Sequence, residues 1–258
     1  MINNKNLTIE ETYELAVQKH QKNDIKEAQE LYNQVLKINP NHSQALNNIA
    51  IIFTNLKDYK KAKEYFEKVI EINPEYANAH NNLGNIYYNL SELQKAKECY
   101  EKAIAINPKY VDANNNLGVI FNEVGVIFKG LEENQKAKDC YEKAIELNPN
   151  YANAHHNLGL IFNEEGENQK AKECYEKVIK LNPNYADAYN NLGITFTKLG
   201  EHQKAISCYE KAIELNPNNA ETYNNLGRIY NEINHHKKSV NYFHKALVNR
   251  SNINFEIS

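Results

Sequence analysis

The chain has 258 residues, with 41% hydrophobic and 24% charged side chains and a formal net charge of −3 at pH 7. This composition fits a soluble folded protein and supplies no broad basic field for nucleic acid or an anionic membrane. Met1 to Glu10 is polar and no apolar run approaches a bilayer span, so the expectation is a cytoplasmic protein without nucleic-acid or membrane partners.

All six prolines follow asparagine, at Asn39-Pro40, Asn73-Pro74, Asn107-Pro108, Asn148-Pro149, Asn182-Pro183 and Asn216-Pro217. The steps are 34, 34, 41, 34 and 34 residues, and a fixed period of this size marks stacked structural repeats. After a polar tail at 1–8, the units run 9–42, 43–76, 77–110, 111–151, 152–185, 186–219 and 220–253, followed by a tail at 254–258.

The first unit carries Ala16, Ala28 and Tyr32, and the second carries Ala50, Ala62 and Phe66 at the same places. The third unit shows the pattern most fully. Ala79, Leu83, Ile86, Tyr87 and Leu90 form one apolar helical face, and Ser91-Glu92 interrupts it. Ala96, Tyr100, Ala103 and Ile104 mark a second helix, which Asn107-Pro108 ends because the residue before proline leaves the α region. Each unit is therefore a helical hairpin.

The fourth unit holds a duplicated heptad, Gly118 to Val124 followed by Gly125 to Leu131. Seven residues are close to two helical turns, so the first helix is expected to lengthen by about 10 Å with no matching extension of the second. Val126, Ile127 and Phe128 would then lie near a protruding tip and are candidates for contact with a partner. A neutral insertion folded back on the stack is the alternative. The remaining units repeat the small column as Gly159, Gly193 and Gly227, faced by Tyr175, Tyr209 and Phe243. Glycine costs a helix about 1 kcal/mol against alanine, and close approach of a neighbouring helix is the simplest reason for retaining it.

On the second helices, Glu64 and Lys68, Glu98 and Lys102, Asp139 and Lys143, and Glu173 and Lys177 have the spacing of supporting ion pairs on a solvated face. Cys99, Cys140, Cys174 and Cys208 occupy one repeat column. Equivalent residues of stacked helices lie about 10 Å apart, too far for disulfides, so reduced thiols are expected. Neither His155-His156 nor His235-His236 has ligand spacing on a helix, so no metal is expected.

The pattern Leu-Gly-x-x-Tyr/Phe, then Ala-x-x-x-Tyr/Phe-x-x-Ala/Val, then Pro at period 34 resembles the tetratricopeptide (TPR) repeat family over nearly the whole chain. One departure is the early aromatic of the first helix, which is here Thr12, Leu46, His80, Asn114, His155, Tyr189 and Tyr223. The resemblance implies an all-α fold, an α-solenoid whose seven hairpins wind into a right-handed superhelix with the first helices on the concave face.

Along those first helices runs a column of Asn48, Asn82, Asn116, Asn157, Asn191 and Asn225, interrupted only by Glu14 in the first unit. The preceding residue is Asn47, Asn81, Asn115, Asn190 or Asn224, with His156 as the exception. An asparagine amide offers two N–H donors and two lone pairs, and so can pair with the N–H and C=O of an extended peptide. The column resembles the asparagine ladder of the TPR region of O-linked N-acetylglucosamine transferase, which implies peptide binding. Bonding of the amides between adjacent helices is the alternative. Lys198 and Arg228 are the only obvious inner-face cations and do not form the clamp with which chaperone-binding TPR domains grip a C-terminal carboxylate.

No phosphate loop, nucleophile elbow or zinc motif is present, so neither catalytic residues nor cofactors are expected. The expected function is a non-enzymatic scaffold that binds a protein or extended peptide. The alternative is the substrate-recruiting part of a glycosyltransferase, sulfotransferase or methyltransferase. No polar capping helix follows the seventh unit, which adds self-association through that end as an expectation.

Overall fold

The computed structural model describes the backbone of residues 7–128 and 131–255, and their side chains except those of 125–128, 131 and 251–255. Within these residues the fold is the all-α helical repeat that the periodicity predicts. Its helices are α1 (Ile9–Gln21), α2 (Ile25–Ile38), α3 (Ser43–Asn55), α4 (Tyr59–Ile72), α5 (Ala77–Asn89), α6 (Leu93–Ile106), α7 (Val111–Phe128), α8 (Leu131–Leu147), α9 (Ala152–Glu164), α10 (Asn168–Leu181), α11 (Ala186–Lys198), α12 (His202–Leu215), α13 (Ala220–Glu232) and α14 (His236–Phe255). They fall into two compact units, one up to Glu123 and one from Val124.

Local chemistry sets the boundaries. Thr8 and Glu11 close a capping box at the start of α1, each side chain accepting from the other's backbone N–H. The asparagine before each proline ends its helix in a second way as well. In Asn39, Asn73, Asn107, Asn148, Asn182 and Asn216 the side-chain Oδ1 accepts the N–H two residues on, at 3.1–3.4 Å. Proline between them has no N–H to compete, so the Asx turn and the pre-proline restriction act together.

Turns inside the hairpins share a left-handed residue. Asn23, Lys57, Ser91 and Asn234 have φ of 59–62°, and Gly166 and Gly200 occupy the same place at φ 79° and 73°. A lysine eight residues after an aromatic lies over that ring at each of these turns but the first: Lys61 over Phe53, Lys95 over Tyr87, Lys170 over Phe162, Lys204 over Phe196 and Lys238 over Tyr230, at 4.9–5.4 Å.

In the first unit, Tyr32, Phe66 and Tyr100 are at most 2% exposed and fill the centres of their hairpins. In the second, Tyr141, Tyr175 and Tyr209 do the same. Burying such a side chain contributes about 2–3 kcal/mol. The glycine column faces these rings. A Cβ on Gly84 would lie 2.6 Å from Tyr100, on Gly159 2.9 Å from Tyr175, on Gly193 2.6 Å from Tyr209 and on Gly227 2.8 Å from Phe243. The column is thus a helix-crossing notch.

Several expectations are corrected. The heptad does not lengthen the first helix alone: α7 has 18 residues where the other first helices have 13, and α8 has 17 where α2, α4, α6, α10 and α12 have 14. The insertion is shared because both helices can extend past the hairpin turn. Leu90 is 42% exposed, since it caps α5 and leaves the apolar stripe. The four acid-first i, i+4 ion pairs named above do not form, although Glu132 and Lys136 make one at 2.7 Å. Glu98, Asp139 and Glu173 instead accept from Gln94, Gln135 and Gln169 one turn earlier, while Lys63 pairs with Glu67 and Lys97 with Glu101. The last helix continues to Phe255, into the segment expected as a tail. The side chains of Val126, Ile127 and Phe128 lie outside the described residues.

Candidate functional site

The asparagine column occupies the middle of α3, α5, α7, α9, α11 and α13, where the helical period sets it beside the apolar stripe. All six members, Asn48, Asn82, Asn116, Asn157, Asn191 and Asn225, are half-buried. The preceding residues lie deeper: Asn47, Asn81, Asn115 and Asn190 are 3–6% exposed, whereas Asn224 and His156 are half-buried.

In the first unit the two columns are hydrogen-bonded to each other. Asn47, Asn81 and Asn115 donate to the Oδ1 of Asn48, Asn82 and Asn116 at 3.4–3.5 Å. Asn48 Nδ2 donates to Tyr13 Oη at 3.2 Å and Tyr32 Oη at 3.1 Å. Asn116 Nδ2 donates to Asn81 Oδ1 at 3.2 Å and Asn85 Oδ1 at 3.1 Å. Asn85 also accepts from Tyr100 Oη at 2.8 Å, which joins the buried ring to the inner face. Burial pushes the Tyr32 phenol up to about 12 and raises Tyr13, so both hydroxyls remain neutral acceptors at physiological pH.

In the second unit Asn225 Nδ2 donates to Asn190 Oδ1 at 3.3 Å, across the same 35-residue step that links Asn48 to Tyr13 and Asn116 to Asn81. Asn157 is also engaged. Asn82 and Asn191 differ: among the described residues neither amide donates to a protein acceptor. The acceptors 35 residues before them, Asn47 Oδ1 and His156 Nδ1, are correspondingly buried without a partner.

Sequence reasoning missed Tyr13, Tyr32 and Asn85 as members of this network. Their signal lay only in offsets of 35 residues for Tyr13, 16 for Tyr32 and 31 for Asn85, which mean nothing until the helices are packed. Lys198 Nζ donates to the Asn163 carbonyl, and Arg228 is exposed beside Asn225 in a cavity of about 300 Å³ that Glu221 and Glu232 also line. These mixed charges do not make a carboxylate clamp.

The histidine pairs diverge. His155 Nε2 meets the Pro149 carbonyl at 3.0 Å, while His156 stacks on Tyr185 with centroids 5.2 Å apart. Among the described residues no group of three or more His, Cys, Asp or Glu is placed to hold a metal ion, and no helix is long and apolar enough to cross a membrane. All four cysteines are free thiols. Burial pushes Cys99 and Cys208 up to about 11 and Cys174 to about 12.

Known structures share this architecture. MamA is 29% identical, with a TM-score of 0.58 over 66% of this chain and 95% of its own. YrrB, a TPR protein with an unusual peptide-binding site, is 24% identical, with a TM-score of 0.56 over 74% of this chain and 95% of its own. A chain of the APC/C hetero-tetramer Cut9-Hcn1 is 17% identical and matches 95% of this chain at a TM-score of 0.74, over 45% of its own length. The last two likenesses establish the fold alone. None of the curated proteins matches the sequence. The model of the Cilia and flagella-associated protein 70 C-terminal domain matches residues 15–254, and the chain therefore belongs to this TPR repeat family.

Proposed function

We propose that the chain is a non-catalytic scaffold that holds an extended peptide, or an extended segment of a partner protein, against its first helices. Membership of a TPR family supports an interaction scaffold in general. The observation that carries the finer reading is one half-buried amide in every repeat but the first, at Asn48, Asn82 and Asn116 in the first compact unit and at Asn157, Asn191 and Asn225 in the second. Such a column addresses the backbone, which every peptide has, and makes little demand on side chains. Asn81, Asn115 and Asn190 hold the column from behind, and Asn224 flanks its end. The absence of disulfides among the described cysteines, with the Cys99, Cys174 and Cys208 thiols held neutral by burial, suits a reducing, cytoplasmic compartment.

Because Asn48, Asn116 and Asn225 also tie helices together, the cleanest test uses the two amides without such ties. Peptides selected against the purified chain from a display library are retested by calorimetry on an Asn82→Ala/Asn191→Ala variant. The helical signal should be unchanged, since alanine favours helix. Binding should weaken by about 0.5–1.5 kcal/mol per lost hydrogen bond, with little dependence on salt or peptide sequence. Unaltered affinity would show that these amides do not hold the peptide.

A further inference from the structure

We infer that the asparagine column of the first unit is polarised, with Asn48 and Asn116 accepting peptide N–H groups and Asn82 between them donating to a peptide carbonyl. The inference rests on the peptide-binding reading above and deepens it. An amide has two N–H donors. At Asn48 both are engaged by Tyr13 and Tyr32, and at Asn116 both are engaged by Asn81 and Asn85. One lone pair of each Oδ1 is taken by the preceding asparagine, at 3.4 Å in both cases. What each amide retains is one acceptor site. Asn82 has the opposite balance. Its Oδ1 accepts from Asn81 at 3.5 Å, but among the described residues its N–H pair has no protein acceptor.

Geometry makes the pattern hard to reverse. The acceptors that hold Asn116 are themselves fixed, Asn81 at 3% exposure and Asn85 by the buried Tyr100 hydroxyl. Turning the Asn116 amide over would face its oxygen to two oxygens and leave the buried Asn81 Oδ1 without a donor. At Asn48 the phenols can donate as well as accept, and the orientation rests on the buried Asn47, whose Nδ2 donates to Asn48 Oδ1 at 3.4 Å. The ligand class follows: an extended segment with a free backbone N–H at the two outer positions. Proline facing Asn48 or Asn116 has no N–H to offer and is excluded there.

Two small amides test this without knowledge of the natural ligand. N-methylacetamide carries an N–H and a carbonyl, whereas N,N-dimethylacetamide carries only the carbonyl. Each is titrated into the isotope-labelled full chain while the side-chain NH₂ and Cγ resonances of Asn48, Asn82 and Asn116 are followed by NMR. N,N-dimethylacetamide should shift the NH₂ signals of Asn82 alone. N-methylacetamide should in addition shift the Cγ signals of Asn48 and Asn116. Without either amide, the NH₂ protons of Asn48 and Asn116 should exchange with solvent about tenfold more slowly than those of Asn82, as hydrogen-bonded donors do. Equal response of all three NH₂ groups to N,N-dimethylacetamide would overturn the polarity and leave the peptide reading standing. No response at any of the three to either amide would overturn the peptide reading itself.

Discussion

Single atoms decide most at the glycine notch and at the cysteines. A Cβ on Gly193 would stand 2.6 Å from the Tyr209 ring, which is itself buried and hydrogen-bonded to Thr197. Gly193→Leu should therefore destabilise the protein by about 3 kcal/mol, read as a lower denaturation midpoint. An unchanged midpoint would show that the ring moves freely. The units that carry Ala16 and Ala50 at this place show that one methyl can be housed when the whole helix pair adjusts. At Cys99 and Cys208, burial favours the neutral thiol and raises its pKa to about 11. At pH 8 the thiolate fraction is then on the order of 10⁻³, against roughly a tenth for an unperturbed thiol with a pKa near 9. Iodoacetamide should label the native protein about a hundredfold more slowly than the urea-unfolded chain, with the gap closing as pH rises towards 11. Equal rates at pH 8 would place these thiols in water.

At the scale of the element, the hairpin turn is the point at which sequence and geometry disagree. Lys57 holds φ 59° and is exposed, whereas Gly200 holds φ 73° at the same place. A side chain in the left-handed region costs about 1–2 kcal/mol, and glycine's extra unfolded-state entropy returns about 0.5–1 kcal/mol of that. Lys57→Gly should thus stabilise by roughly 0.5 kcal/mol, and Gly200→Lys should destabilise by a similar amount. Thermal melts of the pair would show it, and shifts of the same sign would refute it. The helix ends, in contrast, agree with the sequence. Each Asn-Pro was legible as a stop, although the Asx bond of the asparagine side chain was not, because it needs the residue two positions on to turn back.

Across the molecule, contacts run between sequence neighbours. In the first unit each of α1 to α5 packs on the next, in the second each of α8 to α13 does so, and first helices such as α3 and α5 or α11 and α13 also meet. Stability should then be close to a sum of hairpin and nearest-neighbour contributions. A chain ending at Asn219, without α13 and α14, should remain helical and unfold at lower denaturant, with Tyr209 now less protected. Complete loss of helix would show that cooperativity reaches far beyond the neighbouring repeat.

The sequence by itself determined the helical hairpin unit, its period and the buried small and aromatic columns, but not how α7 and α8 share the inserted heptad or where α14 ends. The unit and its columns follow from local rules: a 3.6-residue period, the restriction before proline, and the need for a small residue opposite a large ring. Tertiary structure alone decided how the asparagines are used. Whether Asn116 donates outward or to Asn81 depends on the register between two stacked helices. That register is set where one repeat packs on the next, not by anything within the 34 residues of either. The same packing decided that Asn82 and Asn191 keep their donors while Asn48 and Asn116 do not. A hydrogen bond has direction and reach of about 3 Å, so residues alike in sequence become unlike once their neighbours are in place.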